Sequence, residues 1–269
     1  MTRIQIPAEA IASPITNKPI EMYIFLDPLC SICWDMQPIL RKLQVEYGQY
    51  FTIRTVLSTQ LNKLNTVCHM SDDSKKLNYP IQEHSALPSI AFKAAEFQGK
   101  KAAQRFLDKI QEYFFLQTKN VTSYSVLKEL AIEANLDIEE FICDFQSNEC
   151  ARSFQSDLSI SREMEVNSFP TIVFFNENIE DEGIKVSGIY PYNIYVQILQ
   201  EMLYDVPKKQ NPPRLEKLFE RFNSVTTSEV ADYYNLTEQQ AECELKKLVL
   251  LQKIERIKLP NLVLWRFKK

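Results

Sequence analysis

Apolar and polar positions divide the chain into a strand–helix–strand beginning, a long helical middle, a second strand pair and a tail of short elements. After an irregular, proline-punctuated start at residues 1–19, Ile20-Glu21-Met22-Tyr23-Ile24-Phe25-Leu26 is an apolar run of strand length. It has the pattern of a buried central strand in a sheet covered on both faces. Met36, Ile39, Leu40, Leu43 and Tyr47 then recur at helical spacing. Gly48 offers a C-terminal cap, and Pro38, inside the pattern, predicts a kink because it removes a backbone donor. Phe51-Thr52-Ile53-Arg54-Thr55-Val56-Leu57 reads as a second strand. Strand, helix and strand in so short a span make a βαβ unit with a right-handed crossover.

Residues 58–84 have few apolar anchors and predict a long loop. From Ser85 to about Met164 the pattern is helical throughout, in segments near 87–98, 100–117, 122–135, 138–148 and 151–165. Gly99 parts the first two, and Asp137 with Glu140 three residues on is an N-terminal capping pattern. The aromatic cluster Tyr113, Phe114, Phe115 reads as packed core. Pro170 heads the β-branched run Thr171-Ile172-Val173-Phe174-Phe175, as the first residue of a strand can. An acidic turn at Glu177–Glu182 leads to a partner strand over Ile184–Ile189 and a helix over 191–204.

Val206-Pro207-Lys208-Lys209-Gln210-Asn211-Pro212-Pro213 is polar and proline-rich, the strongest boundary in the chain. Beyond it come helix 214–223, helix 226–235 behind the capping box Thr226-x-x-Glu229, and helix 238–251 behind Thr237-x-x-Gln240. A hairpin over 253–259 and 262–267 turns at Pro260-Asn261. That is the element order of a winged helix. The expected architecture is an α/β domain over 1–205 with a helical insertion at about 85–165, and a small helix-helix-helix-hairpin domain over 206–269.

Composition narrows the function. The chain has 269 residues, 45% hydrophobic and 25% charged, which is a soluble globular balance with ample material for a core. A net charge of -4 makes no general electrostatic case for nucleic acid. Residues 206–269 alone hold 13 Lys+Arg against 8 Asp+Glu, a balance of +5 that leaves -9 on the rest. The would-be recognition helix, however, opens with Glu238, Glu242 and Glu244, where phosphates would approach. A protein-docking tail is therefore favoured over a DNA reader. The first residues lack the apolar core of a signal peptide, and no apolar run reaches the about 18 residues of a membrane span. The expectation is a cytoplasmic protein with reduced thiols and no membrane or nucleic-acid partner.

Six cysteines and two histidines bear the candidate chemistry. Cys143, Cys150 and Cys243 read as small apolar residues on helices. Cys68-His69-Met70 and His84 are ligand types that suit soft metals, but the set is too small for a site. Cys68 and His69 are weak metal candidates in an expected solvated loop. Cys30-Ser31-Ile32-Cys33 is different. A strand that ends in Cys-x-x-Cys and turns into a helix puts the first thiol at the helix N-terminus, where the dipole favours thiolate, and the second one turn away. Zinc sites use the same spacing, but no second Cys-x-x-Cys occurs. Ser31 and Ile32 add no positive charge, and Asp27 and Asp35 flank the pair, so the pattern predicts an indifferent nucleophile.

With these residues in hand, a resemblance is visible. The first 205 residues resemble a DsbA-type thioredoxin fold through Phe25-x-Asp27-Pro28-x-Cys30-x-x-Cys33, Pro38 and Phe169-Pro170-Thr171. Pro170 stands where that fold keeps a cis-proline beside the cysteines. Arg162-Glu163-Met164-Glu165, Glu182-Gly183-Ile184-Lys185-Val186-x-Gly188-x-Tyr190-Pro191-Tyr192, Asn211-Pro212-Pro213 and Glu244-Leu245-Lys246-Lys247-Leu248 are similar to the SpxH (YjbH) family of Firmicutes. Its members are adaptors that present the transcription regulator Spx to the ClpXP protease. The resemblance implies a stress-response adaptor with Spx and ClpX as partners, no cofactor and no required catalytic residue. The alternative is a thiol-disulfide oxidoreductase in which Cys30 attacks, Cys33 resolves and Pro170 shapes the substrate groove.

Overall fold

The computed structural model describes residues 18–58, 86–178, 182–259 and 262–268. The first strand, β1 (Ile20–Leu26), leads through α1 (Ser31–Tyr47) to β2 (Phe51–Leu57). Five helices follow: α2 (Leu87–Phe97), α3 (Lys100–Gln111), α4 (Tyr124–Glu133), α5 (Ile138–Phe145) and α6 (Asn148–Glu163). Then come β3 (Thr171–Asn176), β4 (Ile184–Ser187) and α7 (Tyr192–Leu203). The tail comprises α8 (Leu215–Phe222), β5 (Ser224–Thr226), α9 (Thr227–Tyr234), α10 (Glu238–Leu250), β6 (Ile254–Lys258) and β7 (Val263–Phe267).

The first sheet runs β2-β1-β3-β4. β1 is parallel to β2 and antiparallel to β3, and β4 is antiparallel to β3. The two-residue period of a strand explains why β1 had to be central. Ile20, Met22, Ile24 and Leu26 enter the main core with Met36, Leu40 and Leu43 of α1, while Phe25 packs on the opposite face with Val56 and Val173. The first face is sealed along its length, whereas on the second Phe25 is buried, Tyr23 half-buried and Glu21 exposed. α1 runs unbroken through Pro38.

The five helices α2 to α6 lie in the chain between β2 and β3. Asp137 caps α5 by accepting from the Glu139 and Glu140 amides. Ser147 caps α6, an ST cap the periodicity did not single out. The insertion is pinned to β2 by a buried pair: the Leu57 amide donates to Asp157 at 2.9 Å, and Lys93 Nζ lies 2.5 Å from the same carboxylate. Burial raises the Asp157 pKa against the opposing pull of Lys93.

Two expectations change. The helix expected over 100–117 is α-helical only to Gln111 and finishes as a wider π-helical turn, Glu112–Leu116. That turn buries Tyr113 but leaves Phe114 and Phe115 half-buried, so the aromatic cluster is only partly core. Cys143, Cys150 and Cys243 all lie on helices, but only Cys150 is buried; its Sγ donates to the Ile90 carbonyl at 3.1 Å. Cys68, His69, Met70, His84 and the Pro260-Asn261 turn lie outside the described residues.

The tail has its own hydrophobic cluster, built on Leu218, Phe219, Val225, Tyr233, Leu245 and Trp265. Both expected capping boxes are present, at Thr226/Glu229 and Thr237/Gln240. β5 was not legible in the sequence; it pairs with β7 and completes a sheet of order β5-β7-β6. The cluster also contains Val45 of α1. The connecting segment is tied down rather than free: the Gln210 amide donates to the Glu46 carbonyl at 2.8 Å, and the Lys208 amide to the Tyr50 hydroxyl at 2.9 Å.

Candidate functional site

The cysteine pair sits where β1 becomes α1. β1 ends at Leu26 and Asp27 is buried; it accepts the Leu29 amide at 2.9 Å, which shapes the turn. Cys30 is the N-cap of α1, in extended backbone with φ -89° and ψ 119°. Its amide donates to the Asp27 carbonyl at 3.0 Å, and its carbonyl accepts the Trp34 amide at 3.1 Å. The first thiol is thus at the positive end of the helix, partly exposed. Cys33 is only 2% exposed. Burial pushes its thiol well above the ordinary range, against the Asp27 backbone amide, which favours the thiolate. The two cysteines are free thiols.

Pro170 reaches the same place from β3. The Phe169–Pro170 peptide is cis, and the Cys30 Sγ lies 3.9 Å from the Phe169 carbonyl oxygen. Gly188 follows the last residue of β4; its φ of +91° suits glycine, and its amide donates to the Pro170 carbonyl at 2.8 Å. The structure therefore brings Cys30, Cys33 and the cis Phe169–Pro170 peptide together at the start of α1. Among the described residues no group of three or more His, Cys, Asp or Glu side chains could hold a metal ion.

A second constellation escaped the sequence reading. Arg41, two turns along α1 from Trp34, is surrounded by acids from three elements. Its Nη2 is 3.4 Å from Asp108 Oδ1 of α3, and its Nη1 is 3.3 Å from Glu229 Oε1 of α9 and 3.1 Å from the Ser224 carbonyl. Ser224 Oγ donates to Glu112 at 2.5 Å, and Arg266 of β7 meets Glu112 at 2.6 Å. The Tyr233 hydroxyl donates to Glu229 at 3.2 Å and approaches the Pro38 carbonyl at 3.4 Å. Burial opposes the Arg41 charge, but Asp108 and Glu229 override it and raise its pKa. Burial pushes Asp108 from 3.8 up to about 6, against the pull of Arg41. The only sequence signal was periodicity: Trp34, Pro38, Arg41 and Val45 share a helix face opposite the core-facing residues.

A family model described as Thioredoxin matches residues 23–197. Among solved structures, one described as a "probable DsbA oxidoreductase" from Streptomyces coelicolor is similar with a TM-score of 0.52 at 15% identity, covering 73% of this chain and 93% of that one. Curated relatives extend further. The ClpXP adapter protein SpxH of Shouchella clausii is 42% identical, over 97% of this chain and 93% of the relative. The protein of the same name in Bacillus subtilis is 39% identical, over 93% of this chain and 90% of the relative. On identity of this level over nearly the whole chain, the chain belongs to the SpxH family of thioredoxin-fold proteins.

Proposed function

We propose that this protein is a ClpXP adaptor: it binds a substrate protein, the transcription regulator Spx, and promotes its degradation by the protease in the stress response. One observation carries the reading. The thioredoxin model ends at residue 197, but similarity to relatives named ClpXP adapter protein SpxH covers 97% of the chain and so includes the tail. In this reading the protein is cytoplasmic, needs no cofactor, and meets ClpX and Spx rather than a membrane or nucleic acid. It comprises a thioredoxin-fold domain over 1–205 and a winged-helix-like domain over 206–269. Binding shifts the partner toward a protease-competent state and raises its effective concentration near the unfoldase, with no covalent step.

A second reading, thiol-disulfide oxidoreductase, is favoured by the contact between Cys30 and the Phe169-Pro170 loop. The double substitution Cys30→Ala/Cys33→Ala separates the two. With purified ClpXP and Spx, the adaptor reading expects the double variant to speed Spx breakdown as the parent does. A folded variant with no effect on breakdown would transfer the function to the thiols.

A further inference from the structure

α1 is covered on two faces. Cys33, Met36, Leu40 and Leu43 point into the thioredoxin core, and Val45 reaches the cluster of the tail. Between the second face and the tail lies a cleft of about 400 Å³, a size that takes a few side chains of a ligand. Its floor is Arg41, Asp108, Glu112 and Glu229, whose charges are largely answered by one another and by Arg266. Its walls are apolar and come from both parts of the chain: Trp34, Pro38 and Leu116 on one side, Leu262 and Leu264 on the other.

The rim carries two carboxylates, Asp35 and Asp232. Asp35 is exposed and has no hydrogen-bond or ion-pair partner among the described residues. Asp232 is 57% exposed and holds Lys42 through one oxygen, at 2.7 Å. Trp34, at the same end, stacks on Phe115 with ring centroids 5.7 Å apart and planes 25° from parallel, a flat aromatic platform beside an unanswered negative charge.

We propose that this cleft receives a protein partner as an extended segment that carries lysine or arginine between apolar side chains. The cation lies against Asp35 and over the Trp34 platform, where carboxylate and ring quadrupole both favour it. The apolar neighbours fill the gap between Trp34 and the Leu262–Leu264 wall. An acidic segment or a phosphate backbone meets the same carboxylates and is repelled. The cleft exists only where α1 and the tail face each other, which gives the tail a part in binding that a thioredoxin fold alone lacks. The identity of the partner as a degradation substrate rests on the adaptor reading; the chemistry of the cleft does not.

The probe is a short fluorescein-labelled peptide alternating leucine with lysine and arginine, compared by anisotropy with the same peptide carrying glutamate at every basic position. The full chain is expected to bind the basic peptide, more weakly as salt is raised, and to ignore the acidic one. Asp35→Asn/Asp232→Asn changes two exposed positions and leaves the fold intact; it should weaken the basic peptide about tenfold or more. Trp34→Ala should also weaken it, at any salt. No binding of the basic peptide, equal binding of the acidic one, or an unchanged affinity in the double variant overturns the proposal. The same variant in the degradation assay keeps the two ideas apart. If the parent speeds Spx breakdown and the variant does so equally, the cleft is not the docking site and the adaptor reading stands. If the parent speeds nothing while peptide binding still depends on Asp35 and Asp232, the adaptor reading falls and the cleft remains.

Discussion

Single side chains set what the two sites can do. Cys30 and Cys33 are three residues apart, yet one is partly exposed at a helix end and the other is sealed in the core. Nucleophilicity follows thiolate and access, so the pair should react very unequally. Iodoacetamide at mildly alkaline pH is expected to label Cys30 about tenfold or more faster than Cys33 in the native protein; equal labelling by mass spectrometry would contradict this burial. Asp108 supplies a pH dependence whose sign is easily mistaken. Its pKa is raised on folding, from 3.8 to about 6, because desolvation outweighs the attraction of Arg41. The folded state therefore holds the proton more tightly than the unfolded one, and ionisation works against the fold. Relative to Asp108→Asn, the wild-type protein should lose stability as pH rises from about 4 to about 6, and the gap should then stay level. Urea unfolding across that range measures it, and a wild-type protein that gained stability on the variant over the same window would reverse the assignment.

At the scale of elements, local chemistry and long-range contact can coincide in one residue. Thr226 is the last residue of β5 and the N-cap of α9, and its capping partner Glu229 is also the carboxylate that Arg41 meets. Breaking the cap releases a carboxylate on which the interface depends. Thr226→Ala should therefore cost more than the about 1 kcal/mol of an ordinary cap, whereas Thr237→Ala, whose partner Gln240 faces solvent, should cost about that and no more. Equal losses in chemical denaturation would show that the Thr226 box is no more than local. The π-helical turn after α3 has the same double character. It turns Glu112 to the tail, where Ser224 and Arg266 meet it.

At the scale of the whole molecule, the main thioredoxin core and the cluster of the tail meet across a polar seam. Val45 joins the apolar cluster of the tail, but Arg41 is the residue that answers both Asp108 on one side and Glu229 on the other. Breaking a buried charge network by removing one partner costs about 3–5 kcal/mol, because the remaining charges stay desolvated. Arg41→Met should uncouple the tail. In a Trp34→Phe background, Trp265 fluorescence is expected to change at lower urea than the far-UV circular dichroism, while the parent shows one coincident transition. Coincident transitions in Arg41→Met would show that the apolar contacts alone hold the parts together.

The sequence by itself determined the elements, because period, caps and breakers act over a few residues: β1 as a central strand, the insertion helices, both capping boxes and the cysteine pair at a helix start. It also carried the family, through similarity that extends past the thioredoxin part. β5 escaped because three residues cannot display a period, and they are a strand only by pairing with β7. The π-helical turn escaped because its residues fit an α-helical pattern equally well. Only the tertiary structure decided which thiol is sealed, that Arg41 answers acids from distant elements, and that α1 and the tail enclose a cleft. Those properties depend on solvent exclusion and on distances between residues far apart in the chain, and hydrophobic periodicity encodes neither.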